Sequence, residues 1–544
     1  MSRTLYRGGS VHSPADPSAT ALLVDGDTVA WVGSDEGAHA GAVDAVVDLD
    51  GALVAPAFVD AHVHTTETGL RLAGVDLTGS ASLAQALDAV AAAAAAAPGA
   101  PVLGGGWDDR LWPERRPPSR AELDRAGGGV EVYLSRTDAH SAVVSTSLAE
   151  RAGLSGLVGW TDDGRVERDA HHAVRGATRD LAPNHREAVQ LRALRVAAAA
   201  GVASVHECSA PHIAPPEDLT ALAALAAPDL PEVQAYRGEL AGDAGHAREI
   251  VARLGVSVLG LAGDLCADGS VGSRTSAFRE PYGDAVDAGL PADHRGHGYL
   301  DADQVRDHVV ACTQVGLQAG FHVIGDAAVD TVLAGFAAAA ERIGLEALRR
   351  ARHRLEHVEL ADAAAVAELA RLGLTASVQP VFDALWGGSA GMYAERLGPV
   401  RGALLNPFGA MAAAGVPLAL GSDTPVTPFD PWGAVRACVF HHDASQRMSA
   451  LAAFAAHTRG GWRAARRDDQ GVLAPGHPAT FAVWASADPG QQGRPAPRSL
   501  PDLTPGTPTP PCLRTVRAGR VLYDSADLAA HARSHDPEHD EVRA

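Results

Sequence analysis

Short apolar runs that end in polar residues recur along the middle of the chain, most of them followed by Ala-rich sequence of helical character. In order they read FVDAHVH, GVASVHE, VQAYRG, VLGLAGDLCADG, LQAGFHVIGD, RHRLEHVEL, LTASVQP and VPLALGSD. Strands alternating with helices in this way predict an α/β fold, a (β/α)8 TIM-type barrel over residues 55–469. The gap between the first and second runs is too long for one βα step. Residues of about 66–200, with LGGGWDDRLWPERRPP and VYLSRTDAHSAVV, are therefore expected as an inserted subdomain over the barrel mouth. Both chain ends, 1–54 and 470–544, carry alternating apolar stretches broken by Gly and Asp, which predicts a small β-sandwich built from the two together. The Pro- and Gly-rich stretch 488–512 is expected as an extended surface loop and the tail ARSHDPEHDEVRA as disordered.

Composition narrows the function classes. The net charge is -21 with no basic run, which excludes the electrostatic footprint of a nucleic-acid binder. Five Cys without CxxC spacing predict reduced thiols, and no apolar segment is long enough for a membrane span, so a cytoplasmic protein is expected. Symmetric pairing makes a homodimer the default expectation. All 45 basic residues are Arg, and Lys is absent.

The chemistry gathers at the strand ends. His62 and His64 are two apart on the first strand and so project from one face. His322, His357 and Asp423 each end a later strand, on the C-terminal face where barrel enzymes place their sites. A lone His is more often a core residue and a lone Asp a helix cap. Four His and one Asp at one barrel face are harder to dismiss. A divalent ion held by imidazole and carboxylate with one open position brings the pKa of water towards neutrality.

This set, with GGGWDDRLW, SRTDAH, DGSVGSRTSAF, HVIGDAAVD, GSDTPVTPFDPW and GVLAPGHPATFAV, resembles the amidohydrolase superfamily and its family 3 branch, to which N-substituted formamide deformylase belongs. The resemblance implies that His62, His64, His322 and Asp423 hold the metal, most readily Zn2+. It makes His357 either a ligand of a second metal or a group that polarises the substrate carbonyl. Asp423 would also carry water's proton to the leaving nitrogen. Many relatives place a Lys, carboxylated to bridge two metals, where this chain has Asp264. With no Lys available, one ion is favoured over two. Asp264, with its shorter reach, is expected as a weak ligand or bystander, while Glu207, Cys266 and Asp268 are further candidates for ligation or support. Trp107, Asp108, Arg136, His140 and Arg274 are expected to shape a pocket for a small organic molecule, with Trp112, Phe382 and Trp386 lending an apolar lining.

The expected activity is metal-dependent hydrolysis of a non-peptide C–N bond, amide or formamide in type. Two other readings stay open: deamination of an amidine or heterocyclic amine, and a metal-free scaffold or ligand-binding regulator, since a fold does not fix a function.

Overall fold

Each of the eight apolar runs forms a strand, and together they make one parallel sheet. The strands are β1 (Phe58–Val63), β2 (Val202–Ser209), β3 (Glu232–Arg237), β4 (Gly260–Leu261), β5 (Gln318–Val323), β6 (Arg354–His357), β7 (Thr375–Val378) and β8 (Leu418–Leu420), neighbours in sequence order. The sheet curls until its edges meet: the Asp423 N–H donates to the His62 carbonyl at 2.9 Å, and the His64 N–H to that of Thr424 at 3.0 Å. The result is a near-closed barrel. The computed structural model describes residues 3–37, 43–225, 227–486, 500–528 and 530–532.

Alternation along the strands sorts the side chains. Phe321, Leu355 and Ala376 join Val305, Val332, Phe336 and Leu369 of the surrounding helices in one large apolar cluster. The opposite face of β6 points inward and is ionic. Buried Arg354 meets Glu356 at 2.6 Å, the Ala61 carbonyl at 2.6 Å and Ser377 Oγ at 3.0 Å, and lies 4.4 Å from the centre of the Tyr236 ring. A buried ion pair is expensive unless hydrogen bonds satisfy it, and these do.

β4 is shorter than its apolar run suggests. Gly263 takes φ +83° where a Cβ would press on Cys208 at 2.9 Å, so the strand breaks there. The chain returns to β5 through Cys266 opposite His322, then runs without helix or strand to Asp301.

Residues 75–167 fold as a five-stranded sheet of their own, with strands Val75–Asp76, Val102–Trp107, Val132–Arg136, Ser141–Val144 and Arg165–Glu167. Helices Arg168–Thr178 and Pro183–Ala199 lead from it back to β2. At the chain ends, two five-stranded sheets each contain strands from both termini, and Tyr6, Leu22, Val47, Val54, Phe481 and Val516 share one cluster between them. Ala482 and Trp484 of the second sheet belong to the barrel's apolar cluster, so that sheet is packed onto the barrel. Of the stretch 488–512, residues 500–511 lie outside helix and strand; 488–499 and the tail 533–544 lie outside the described residues.

Candidate metal centre

The C-terminal ends of β1, β5, β6 and β8 bring His62, His64, His322, His357 and Asp423 together, all buried. Gly421 makes this possible next to β1, because a Cβ there would meet the His62 nitrogen at 2.6 Å. Asp423 (φ +55°) and His357 (φ +70°) both hold left-handed backbone, a conformation that costs energy and concentrates at functional sites.

At the centre sits Asp264, from the chain that follows β4. Its Oδ1 lies 3.3 Å from His62 Nε2, 3.7 Å from His322 Nδ1 and 3.9 Å from His357 Nε2. Its Oδ2 lies 3.2 Å from His64 Nε2. Asp423 Oδ1 approaches the first pair from the other side, at 3.5 Å from His62 and 3.1 Å from His64. Asp264, expected as a weak ligand or a bystander because its side chain is short, stands within 4 Å of a nitrogen of all four imidazoles. The break at Gly263 lets the backbone enter the barrel mouth, and proximity replaces side-chain length.

Three of the imidazoles have one nitrogen committed elsewhere. His62 Nδ1 donates to Glu356 Oε2 at 2.9 Å, His357 Nδ1 to Gln379 Oε1 at 2.8 Å, and His322 Nε2 to the Gly269 carbonyl at 3.2 Å. The other nitrogen of each then presents a lone pair towards Asp264. This is how imidazole ligands are commonly oriented, through a hydrogen bond on the far side of the ring. His62 Nε2 and Asp264 Oδ1 are buried without a hydrogen-bond partner, which is costly unless something else engages them. His62, His64 and Asp423 form one group with metal-ligating spacing, and His62, Asp264 and His357 form another. The donor set therefore fits a divalent ion.

The electrostatics match a place for positive charge. Burial would raise the Asp264 carboxyl, yet His62, His322 and His357 hold it well below the usual range. Burial opposes protonation of His64, but hydrogen bonds to Asp264 and Asp423 push its pKa up to about 9. His357 shifts the other way, through burial and the neighbouring His322.

A cavity of about 430 Å³ opens onto this cluster, walled on one side by the barrel and on the other by Asp138–His140, Val158 and Arg168–Arg175 of the insertion. Of the residues expected to shape the pocket, His140 lines it, its ring 5.4 Å from that of His322. The others are engaged elsewhere. Trp107 is buried in the insertion's own core, with Nε1 donating to the Leu134 carbonyl, and Trp112 packs beside it. Asp108 is held by Arg110 and Arg136, and Arg136 also pairs with Asp138 at 3.2 Å. Arg274 is fixed to Asp284 by bonds of 3.0 and 2.7 Å. Phe382 and Trp386 line a small adjoining recess together with His322, His357 and Asp423.

Glu207 accepts the Thr65 N–H at 2.8 Å. Asp268 accepts the N–H groups of Ala277, Ile324 and Gly325, which makes it a brace for the mouth loops. Cys266 lines the cavity with its Sγ 3.6 Å from His212 Nε2. Sequence reasoning missed Glu356, Gln379 and Arg354 as supports of the imidazoles, and Arg168, Arg175 and His212 as cavity wall. The polar alternation in RHRLEH was a signal for the first group; nothing in the sequence marked the second.

A barrel with buried His and Asp side chains converging at its C-terminal mouth defines a metal-dependent hydrolase fold. The chain belongs to the amidohydrolase family, whose model matches residues 45–523. It is 27% identical over 486 residues to the protein LONG AFTER FAR-RED 3 of Arabidopsis thaliana, covering 81% of this chain and 79% of that one. It is 25% identical over 446 residues to the N-substituted formamide deformylase of Arthrobacter pascens, covering 77% and 80%. Among solved structures it resembles an uncharacterized metal-dependent hydrolase from Pyrococcus furiosus, with TM-score 0.67, 25% identity and coverage of 88% and 98%.

Proposed function

We propose that this protein hydrolyses a non-peptide C–N bond, amide or formamide in type, in a small organic molecule, using a divalent metal, zinc first among the candidates. The observation that carries the reading is the convergence of four imidazoles, three of them oriented by a hydrogen bond on the far side of the ring, and two carboxylates on one buried point. His62, His64, Asp423 and Asp264 would hold an ion; His322 and His357, whose free nitrogens also face Asp264, would share that carboxylate with a second. Such an ion supplies Lewis acidity, making water a nucleophile at neutral pH and polarising the carbonyl.

The chain's own residues do the rest. Asp423 accepts a proton from water as its oxygen bonds to the acyl carbon, and returns that proton to the nitrogen as the C–N bond breaks, so the products are a carboxylic acid and an amine. Glu356, anchored by Arg354, keeps the His62 proton on Nδ1. Gln379 does the same for His357, and its amide is itself oriented by the Ser377 carbonyl at 3.5 Å. With its proton held there, His357 Nε2 has no hydrogen to give a substrate carbonyl, which favours ligation over polarisation as its role. The resemblance to a formamide deformylase supports the C–N assignment.

Elemental analysis of protein purified without chelators, beside a His62→Ala/His64→Ala variant, tests the centre; a panel of formamides and amides tests the chemistry. One ion per chain makes Asp264 a ligand of a single site, and two make it a bridge. No metal, with no hydrolysis of any panel member after zinc loading, would overturn the reading and bring the scaffold or regulator alternative forward.

A further inference from the structure

The helix Arg168–Thr178 forms part of the cavity wall opposite the barrel, and two of its arginines, Arg168 and Arg175, line the cavity. Neither guanidinium has a hydrogen bond or ion pair to any described residue, and Nε of each is buried without a partner. Other arginines around the mouth are neutralised: Arg136 by Asp108 and Asp138, Arg179 by Glu67, and both Arg274 and Arg396 by Asp284. The carboxylates that could serve Arg168 and Arg175 are committed. Asp138 is taken by Arg136, Ser270 and Ser273, and Asp268 by three backbone N–H groups. Both oxygens of Glu67 are taken by Arg179, while Asp264 and Asp423 face the imidazoles. Asp169 also borders the cavity, but it is exposed to solvent.

Both side chains are partly exposed with only Nε enclosed, so their guanidinium ends stay open to an anion that enters the cavity. The positive charge of Arg175 is felt across the cavity: after burial itself, it helps lower the pKa of His171, His172 and His212. The cavity also has the volume of a small-metabolite site.

We propose that the substrate is a small amido acid, an amide and a carboxylate joined by a short chain, with Arg175 and Arg168 binding the carboxylate while the amide lies over Asp264 and Asp423. This rests on the hydrolase reading above, and names the substrate class of that same site. Arg274, expected from the sequence to shape the pocket, is tied to Asp284, and Arg168 and Arg175 line the cavity instead.

The test is calorimetric binding to zinc-loaded protein of three probes: butyrohydroxamate, succinic monohydroxamate and glutarate. Succinic monohydroxamate is expected to bind at least about tenfold more tightly than butyrohydroxamate, whose chain is similar but uncharged. Arg175→Gln, and more strongly Arg168→Gln/Arg175→Gln, should abolish that advantage while leaving butyrohydroxamate affinity, zinc content and Tm unchanged; Arg175→Lys should restore part of it. Equal affinity of the two hydroxamates for the wild type, or a parallel loss of both in Arg175→Gln, would overturn the proposal. If neither hydroxamate binds but glutarate binds the wild type and not Arg175→Gln, the metal-centred reading falls and the anion site stands. If glutarate also fails to bind, both fall.

Discussion

Asp264 shows how little a residue's type says before its neighbours are known. A carboxylate too short to replace a carboxylated lysine in a regular strand reaches four imidazoles once Gly263 bends the chain towards the barrel axis. Asp264→Asn removes the charge without changing the shape, and should lower bound metal by at least half, read by elemental analysis. Glu356→Gln acts one bond further out, by loosening the His62 tautomer and leaving Arg354 buried with a neutral partner. It should weaken metal affinity by about 10–100-fold, measured by chelator competition. Asp423→Asn should keep the fold and lower kcat by at least about 10²-fold, because the proton carrier is lost. The sequence named the five ligand candidates through strand-end positions, but it could not reveal their supports, since Glu356 and Gln379 matter only through contacts across the barrel.

Three buried histidines away from the centre tie separate elements to the barrel. His308 joins its helix to the Ala241 N–H and the Leu261 carbonyl, His353 accepts the Ala319 N–H, and His457 reaches the Val59 carbonyl. Burial lowers their pKa values from 6.5 to about 4, about 3 and about 4 respectively. The fold thus selects their neutral forms. Their contribution is complete above pH 6.5, the unfolded value, and is lost as the pH falls towards 4 and 3, because the unfolded chain takes up protons that the folded chain refuses. Each imidazole gives a slope approaching about 1.4 kcal/mol per pH unit within that window. Urea midpoints should therefore drop between pH 7 and pH 5; a flat profile would contradict the assignment. Nothing in the sequence marks these three as neutral, because a lone His carries no sign of its tautomer.

At the scale of the molecule, the insertion closes the barrel mouth and supplies the cavity's second wall, so stability and binding are coupled through it. Trp107 belongs to the insertion's core and not to the cavity. Trp107→Ala should cost about 3–5 kcal/mol and lower kcat/KM for all substrates alike, without changing preference among them. Stripping the metal with a chelator should abolish hydrolysis and lower Tm, and zinc should restore both, as mass action requires of a ligand that binds the folded state alone. Differential scanning fluorimetry with parallel assays checks each. Among the described residues no helix is long and apolar enough to cross a membrane.

The sequence by itself determined the barrel. Eight apolar runs with polar ends, alternating with helical sequence, predicted a barrel with the His and Asp residues on one face, and the eight strands lie in that order. It also excluded a carboxylated lysine, by having no Lys. What only the tertiary structure decided was everything that depends on distance across elements. That includes the central place of Asp264, the ionic bracing of His62 through Arg354, and which arginines are neutralised and which are free. Periodicity encodes which face a side chain occupies, but not which residue of a distant segment faces it; that pairing exists only after the barrel has closed and the insertion has settled on its mouth.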